Sequence, residues 1–494
     1  MLWIEDRVSN WKKLLGLTYI NMLLWNVLTT WWIWYASIPG AISAFLANSL
    51  LMCIPWLLMH FTKKKFGRWI GYSSLILFWL TFEYIHLHDW GLSWPWLTLG
   101  NVFATHTEWV QWYEYTGASG GSFWILLSNL IVYSILSEYN DSGRSWKYFV
   151  YMLIWILILV VPSVLFNQKN TNPNYIIPES NIVIVQPDID PYEKITTGTF
   201  EAQLQKLIHL SESAIDSNTA LVIWPETALY MENGIDEENM KENFFLNPLW
   251  AFLQRRPNTL LFSGVESYRM YEGKKTSTAR EIPGGNYYFD AFNGSVLLDS
   301  SGPIGYYHKS MLVPGVETLP GFLKFMGKLF EKFGGTSGGY TKQHDRTPLK
   351  NNKNDIVIAP AICYESIYGE FMSKYISNGA NLICIITNDG WWKKTPGYRQ
   401  HMNYARLRAI ETRKWIARSA NTGISCFIDP LGQVHDPQPW DTASAIKMNV
   451  PTNNGQTFFV KHGDVLSKTA TVVSILLLVL NIGNWARKRF LKNK

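Results

Sequence analysis

Three residues in this sequence have the types and settings that thiol acyl transfer requires. They are Glu226 in Trp224-Pro225-Glu226-Thr227, Lys309 in Tyr306-Tyr307-His308-Lys309, and Cys363 in Ile362-Cys363-Tyr364-Glu365. A thiolate is the nucleophile in such chemistry, and a nearby carboxylate takes the thiol proton. A lysine cation lowers the thiol pKa and stabilises the oxyanion of the tetrahedral intermediate, helped by a backbone N–H. Taken singly, each is ordinary. Glu226 suits a helix N-terminus and Lys309 a solvated surface. Position alone favours a core role for Cys363, because free cysteines are among the most buried residues. No G-x-S-x-G stretch follows a predicted strand, so none reads as the elbow that would offer a serine alternative.

These residues share one kind of setting. Cys363 follows the apolar run Ile356–Ile362, which suits a strand buried on both faces, and Glu226 follows Leu221–Trp224. Further short β-rich runs fall at Ile182–Val185, Leu260–Gly264, Leu382–Ile386 and Ile424–Ile428. Helix-length amphipathic stretches lie at Phe200–Ser217, Met240–Gln254, Ser366–Ser377 and Arg399–Ala417. The alternation predicts an α/β domain of roughly 280 residues with its chemistry at the carboxyl ends of strands. Cys384 and Cys426 sit inside strand runs with no neighbouring acid, so they read as core residues. The four cysteines have no paired spacing, which argues against a disulfide framework and a zinc site. His86, His88, Asp89 and His106 fit polar anchoring at an interface better than metal ligation.

The remainder of the 494 residues reads as membrane. Hydrophobic residues make up 47%, aromatic residues 15% with 24 Trp, and charged residues only 17%, which is not a nucleic-acid-binding composition. Spans are predicted at Leu14–Tyr35, Ile38–Phe61, Trp69–Ile85, Ser122–Leu136, Tyr148–Phe166 and Thr469–Trp485. Arg7, Lys12 and Lys13, then Lys63, Lys64, Lys65 and Arg68, then Arg144 and Lys147, and lastly the basic tail from Arg487, all fall on one side of a six-span bundle. Asp89–Gly121 on the other side has no Lys or Arg. The positive-inside rule makes the basic side cytoplasmic, so the α/β domain faces outward. The predicted organisation is a bundle at 1–166, a linker at 167–180, the catalytic domain at 181–467, and a last span with its tail at 468–494. Glu83, near the outer end of a span, is a candidate functional group by its position or a side chain that reaches out to the interface. Gly321–Gly335 has Phe and Leu at helical spacing with lysines on another side, as in a helix lying at a membrane surface or one packed on its own domain.

The contexts WPET, YHKSMLVP and ICYES, with NDGWW at Asn388–Trp392 and the stretch Arg399–Gly432, resemble the nitrilase superfamily. With flanking spans, the whole is similar to the bacterial apolipoprotein N-acyltransferases. The resemblance implies an α-β-β-α sandwich on a transmembrane helical bundle of about six spans, here shortened at its amino terminus by two spans relative to the family. It implies Glu226 as general base, Lys309 as oxyanion stabiliser and Cys363 as acyl-carrying nucleophile. Glu317, Tyr364, Glu365 and Trp391 would support or bind substrate, and no cofactor or metal is implied. The expected activity moves an acyl chain from a glycerophospholipid to the α-amino group of a diacylated apolipoprotein, by a monomer in the bacterial inner membrane. The rival is a membrane-tethered amidase with water as acceptor. Where the family often has a tryptophan shortly after the first domain strand, Gln186–Ile195 here has Tyr192 and no Trp.

Overall fold

Residues 1–142, 146–169, 179–192, 199–318 and 339–492 are described by the computed structural model. The chain forms two compact units: residues 1–31, 41–169 and 462–494, and residues 32–40 with 170–461. The amphipathic segment expected at 321–335 and most of the expected linker at 167–180 lie outside the described residues.

The first unit is helical. Helices occupy Trp11–Thr30, Ile38–Leu51 continuing nearly unbroken as Cys53–Phe66, Arg68–His86, Ala118–Ser142, Trp146–Lys169 and Val465–Lys492. Each predicted span therefore has a helix. Among the described residues three stretches are long and apolar enough to cross a membrane: Ile38–Phe66, Ala118–Ser137 and Val465–Ile482. Met22, Met52, Trp56, Met59, Leu75 and Trp79 build the interior of this unit. Glu83, a candidate functional group by its position, is used as a tie. Its Oε1 accepts the Trp79 indole N–H at 2.9 Å and the Leu99 backbone N–H at 2.8 Å.

The second unit is built on two sheets. Strands β1 (Glu179–Gln186), β2 (Thr219–Ile223), β3 (Ile235–Asp236), β4 (Leu260–Glu272), β5 (Arg280–Ile282), β6 (Tyr287–Asp299) and β7 (Gly302–His308) form one sheet together with the last strand. Strands β8 (Ile358–Ile362), β9 (Leu382–Thr387), β10 (Ile416–Ala420), β11 (Cys426–Ile428) and β12 (Val434–His435) form the other, and β13 (Ser444–Pro451) returns to pair with β1. The β8–β9–β10 pairings are parallel, and every residue in these strands is buried. Burial on both faces explains their unbroken apolar runs. The sheets meet at β1 and β10, where the Ser419 hydroxyl donates to the Val185 carbonyl at 2.7 Å.

Helices cover the outer faces. Phe200–Ala214 starts where the Thr199 hydroxyl accepts the Ala202 N–H, and Leu204, Leu207, Ile208 and Ser211 form its buried stripe. That stripe packs with Val183, Val185, Val222 and Leu261 of the first sheet, and each buried leucine contributes about 1.5–3 kcal/mol. Gly369–Ser377 and Pro396–Thr412 cover the second sheet. Ser366–Ser377 starts as a helix only at Gly369, Phe200–Ser217 ends at Ala214, and two predicted helices differ by more. Asn247–Gln254 is shorter than expected, because the segment before it folds as a separate 3-10 turn at Phe244–Leu246. The helix from Pro396 ends at Thr412, because Arg413 turns left-handed with φ 52°, and Ile416 and Ala417 belong to β10.

Candidate active site

Cys363 is the first residue beyond β8, and the chain turns there with φ +51°. A non-glycine residue in this conformation costs about 1–3 kcal/mol and persists only where its surroundings over-determine it. The surroundings are visible. The Ser366 hydroxyl donates to the Cys363 carbonyl at 2.8 Å, and the Ile362 N–H donates to Glu365 Oε2 at 2.8 Å. Cys363 is buried, with 8% of its surface exposed.

Lys309 leaves the end of β7, its N–H bonded to the Asn293 carbonyl of β6 at 2.9 Å. Its ammonium is buried and donates to Glu317 Oε1 at 2.7 Å and Glu226 Oε1 at 3.1 Å. Asn293 Nδ2 donates to the same two oxygens, at 2.9 and 3.0 Å respectively. The second oxygens are also held. Glu317 Oε2 accepts the Val313 N–H at 2.8 Å, and Glu226 Oε2 accepts the Asn388 N–H at 3.1 Å. Two carboxylates thus share one lysine and one amide, and each is held at both oxygens.

The charges act on one another. Burial alone would lower the Lys309 pKa, but Glu226, Glu317 and the Cys363 thiol hold it well above the ordinary lysine value. Lys309 is therefore a fixed cation. Burial, and then the Glu226 carboxylate, push the Cys363 thiol far up, against the opposing pull of Lys309. A resting thiol of this kind is protonated at neutral pH and needs a base at the moment of attack.

Glu226 reaches this point because its loop lies flat against β4. Thr227 has φ +50°, and a Cβ on Gly264 would stand 2.5 Å from both the Pro225 oxygen and the Thr227 nitrogen. Only glycine at 264 leaves that space. Glu365 stands one layer behind. Its Oε1 accepts from the Tyr307 hydroxyl at 2.6 Å and from the Ser310 and Met311 N–H groups at 2.6 and 3.1 Å. Since its other oxygen holds Ile362, one buried carboxylate joins the Lys309 turn to the Cys363 turn. Burial raises the Glu365 pKa above the ordinary carboxyl value, against these donors.

Of the expected site residues, Glu226, Lys309 and Glu317 meet by direct hydrogen bonds, and Cys363 lies within their field. Tyr364 is buried, edge-on to Tyr368 at 5.2 Å. Trp391 lies apart from this group: it is 42% exposed and its ring meets Tyr192 at 5.3 Å. The Tyr192 hydroxyl donates to the Trp391 carbonyl at 2.9 Å, so Tyr192 braces the loop that carries Trp391. Asn293 was missed by sequence reasoning. It sits mid-strand in Phe292-Asn293-Gly294, and only its partners mark it. Asn388 was visible as part of NDGWW, but its backbone contact with Glu226 was not.

A thiol on a held turn, a carboxylate base and a fixed cation are the parts of an acyl-transfer site. Residues 182–456, more than half of the chain, match the carbon-nitrogen hydrolase family, and residues 1–131 match the apolipoprotein N-acyltransferase N-terminal domain. The chain belongs to the apolipoprotein N-acyltransferase family. The apolipoprotein N-acyltransferase of Chlorobaculum tepidum is 29% identical over 473 residues, covering 94% of this chain and 86% of its own. That of Rickettsia prowazekii is 28% identical over 425 residues, covering 85% and 78%, and that of Geobacter metallireducens 26% identical over 467 residues, covering 91% and 82%. Among solved structures, Saccharomyces cerevisiae Nit3, a member of branch 10 of the nitrilase superfamily, aligns over 57% of this chain and 93% of its own. Identity there is 14% and the TM-score 0.41, a likeness too distant to build on. As an apolipoprotein N-acyltransferase, this is a bacterial membrane protein with an N-acyltransferase activity.

Proposed function

We propose that this apolipoprotein N-acyltransferase takes its acyl chain from a glycerophospholipid and carries it as a thioester on Cys363. Glu226 removes the thiol proton as sulfur attacks the ester carbonyl, and Lys309 faces the oxygen that becomes negative. The intermediate collapses by releasing the lysophospholipid alkoxide, which takes the proton back from Glu226. The α-amino group of a diacylglyceryl-cysteine then attacks the thioester. Glu226 accepts the amine proton and returns it to the departing sulfur, leaving an amide and a free thiol. Glu317 keeps Lys309 charged and oriented, and Glu365 and Tyr364 support the turn. The observation that carries this assignment is the buried Lys309 ammonium, shared by Glu226 and Glu317 in the field of Cys363.

The test supplies the detergent-solubilised protein with phospholipid labelled in its acyl chains and a synthetic diacylated lipopeptide. Labelled N-acyl lipopeptide is expected, with the labelled thioester preceding it. Labelled free fatty acid with no amide would instead mean that water is the acceptor, as in an amidase.

The six helices and the distribution of Lys and Arg support six crossings, with a bundle at 1–166, a linker at 167–180, an outward-facing catalytic domain at 181–467, and a last span with its basic cytoplasmic tail at 468–494. A reporter fused after Lys494 should then lie in the cytoplasm, and a tag within 167–180 should be shielded from a protease on that side. Both markers on one face of the membrane would eliminate this topology.

A further inference from the structure

Behind the Cys363 turn lies a buried charged group that the proposed chemistry does not use. Asp389, His401 and Arg418 have no exposed side-chain surface. Asp389 Oδ2 accepts from Arg418 at 2.7 Å, and its Oδ1 accepts the Thr387 hydroxyl at 3.0 Å and faces His401 Nδ1 at 2.9 Å. Burial raises the Asp389 pKa, but Arg418 and His401 more than offset that and hold it below the usual carboxyl value. The other ring nitrogen, Nε2, lies 3.0 Å from the Cys363 backbone carbonyl and 3.0 Å from the Ser366 hydroxyl. The Trp392 ring closes the pocket edge-on at 5.5 Å.

Donor counting fixes the state of the ring. A carboxylate oxygen can only accept, so Nδ1 carries a proton. Arg418 Nη2 lies 3.2 Å from the same nitrogen, but its shorter bond, at 2.7 Å, is to Asp389. A carbonyl oxygen also only accepts, so a bond from Nε2 to Cys363 needs a second proton on the ring. The Ser366 hydroxyl is already directed at that carbonyl, at 2.8 Å. A neutral Nε2 would set a lone pair against the carbonyl oxygen at 3.0 Å. A proton on each ring nitrogen serves both acceptors, Asp389 from Nδ1 and the Cys363 carbonyl from Nε2.

We infer that His401 is a positioning residue for the nucleophile: it donates from Nε2 to the Cys363 carbonyl, is anchored from Nδ1 by Asp389, and so holds the left-handed turn that aims the thiol. The inference rests on Cys363 being the nucleophile. Its effect belongs to the rate of sulfur attack and not to lipid binding, because His401 touches the backbone of Cys363 and no surface open to substrate. A displacement of about 1 Å at a reacting atom costs about a hundredfold in rate, which sets the scale.

Two amides separate the two bonds of the ring. The Nε2 of glutamine reaches about as far as the imidazole Nε2, and the Nδ2 of asparagine about as far as Nδ1. His401→Gln keeps a donor for Cys363, and His401→Asn keeps one only for Asp389. Iodoacetamide alkylation of Cys363, read by mass spectrometry on the full-length protein, follows thiol alignment whether or not acyl transfer occurs. Thioester formation in single turnovers then gives the maximal rate and the half-saturating phospholipid concentration. The expected result is that His401→Ala and His401→Asn slow both reactions about 10- to 100-fold at unchanged half-saturation, and that His401→Gln recovers most of the loss. Asparagine matching or exceeding glutamine would show that His401 serves only to hold Asp389, and would overturn the inference. So would an unchanged rate in His401→Ala, or a changed half-saturation alone. If the wild type forms no thioester, the acyl-transfer assignment fails, while the order of alkylation rates still decides the role of His401.

Discussion

Cys363→Ser loses the thioester altogether, and with it amide formation falls by about 10⁴-fold or more. Groups that act as one catalytic unit each account for nearly the whole effect when removed, which sets that scale. Serine is close to cysteine in size, so the turn at φ +51° and the Glu365 and Ser366 bonds around it are retained. What changes is the nucleophile. A hydroxyl is far harder to ionise than a thiol, and the site already opposes ionisation through burial and the nearby Glu226. Mass spectrometry of wild type incubated with phospholipid alone should place a single acyl group on the Cys363 peptide. An adduct on Cys384 or Cys426 would show that the wrong thiol has been assigned. Both are fully buried within strands, and burial raises the Cys384 thiol well above its ordinary value and the Cys426 thiol to about 12.

Glu226→Gln and Lys309→Met both slow acylation at neutral pH, but alkaline pH rescues only the first. Loss of a general base costs about 10²–10⁴ in rate, and loss of an oxyanion stabiliser about 10²–10³, so size alone does not separate the roles. The signs do. After burial, Glu226 is the largest influence raising the Cys363 pKa, and Lys309 is the one that most lowers it. Removing the negative charge at 226 lets the thiol ionise at lower pH than in wild type, so hydroxide replaces the missing base as pH rises. Removing the positive charge at 309 moves thiol ionisation further up and also strips stabilisation from the tetrahedral oxygen. Single-turnover thioester formation from about pH 6 to 10 stays below the range where Lys309 itself deprotonates, because its pKa is held above that of a free lysine, about 10.4. Equal recovery in both variants, or recovery only in Lys309→Met, would reverse the assignment of base and cation.

The placement of Glu226, Lys309 and Cys363 was legible in the sequence because each lies within three residues of the end of a short strand, and strand ends are marked locally by proline, by a charge or by a break in an apolar run. The strands β1, β2, β4, β8, β9 and β11 were legible for the same reason. Long strand β6 was not. It mixes Tyr, Asn, Asp and Gly with apolar residues, and its pairing with β4 and β7, not its own composition, makes it a strand. Asn293 vanished with it. Strand β10 was hidden because its first residues, Ile416 and Ala417, read as the end of the preceding helix, and Arg418 breaks the apolar run after them. The burial of Arg418 is tolerable only because Asp389, far away in sequence, accepts its charge. The apolar spacing of the membrane helices was plain, but the bond from Glu83 to Leu99 depends on where a neighbouring turn comes to rest.

The Glu365 carboxylate has a temporal consequence. Its partners at Ser310 and Ile362 come from different sheets, and the Ser310 bond spans 55 positions of chain. Glu226 meets Asn388 across 162 positions. Contacts of such long range close late in folding, after local helices and hairpins have formed. A chain emerging during synthesis therefore carries at position 363 an ordinary thiol, with no neighbouring base or cation to activate it. Chemical competence is acquired only when the two sheets dock, so an unfinished molecule has no assembled means of acylating itself on the membrane lipids around it.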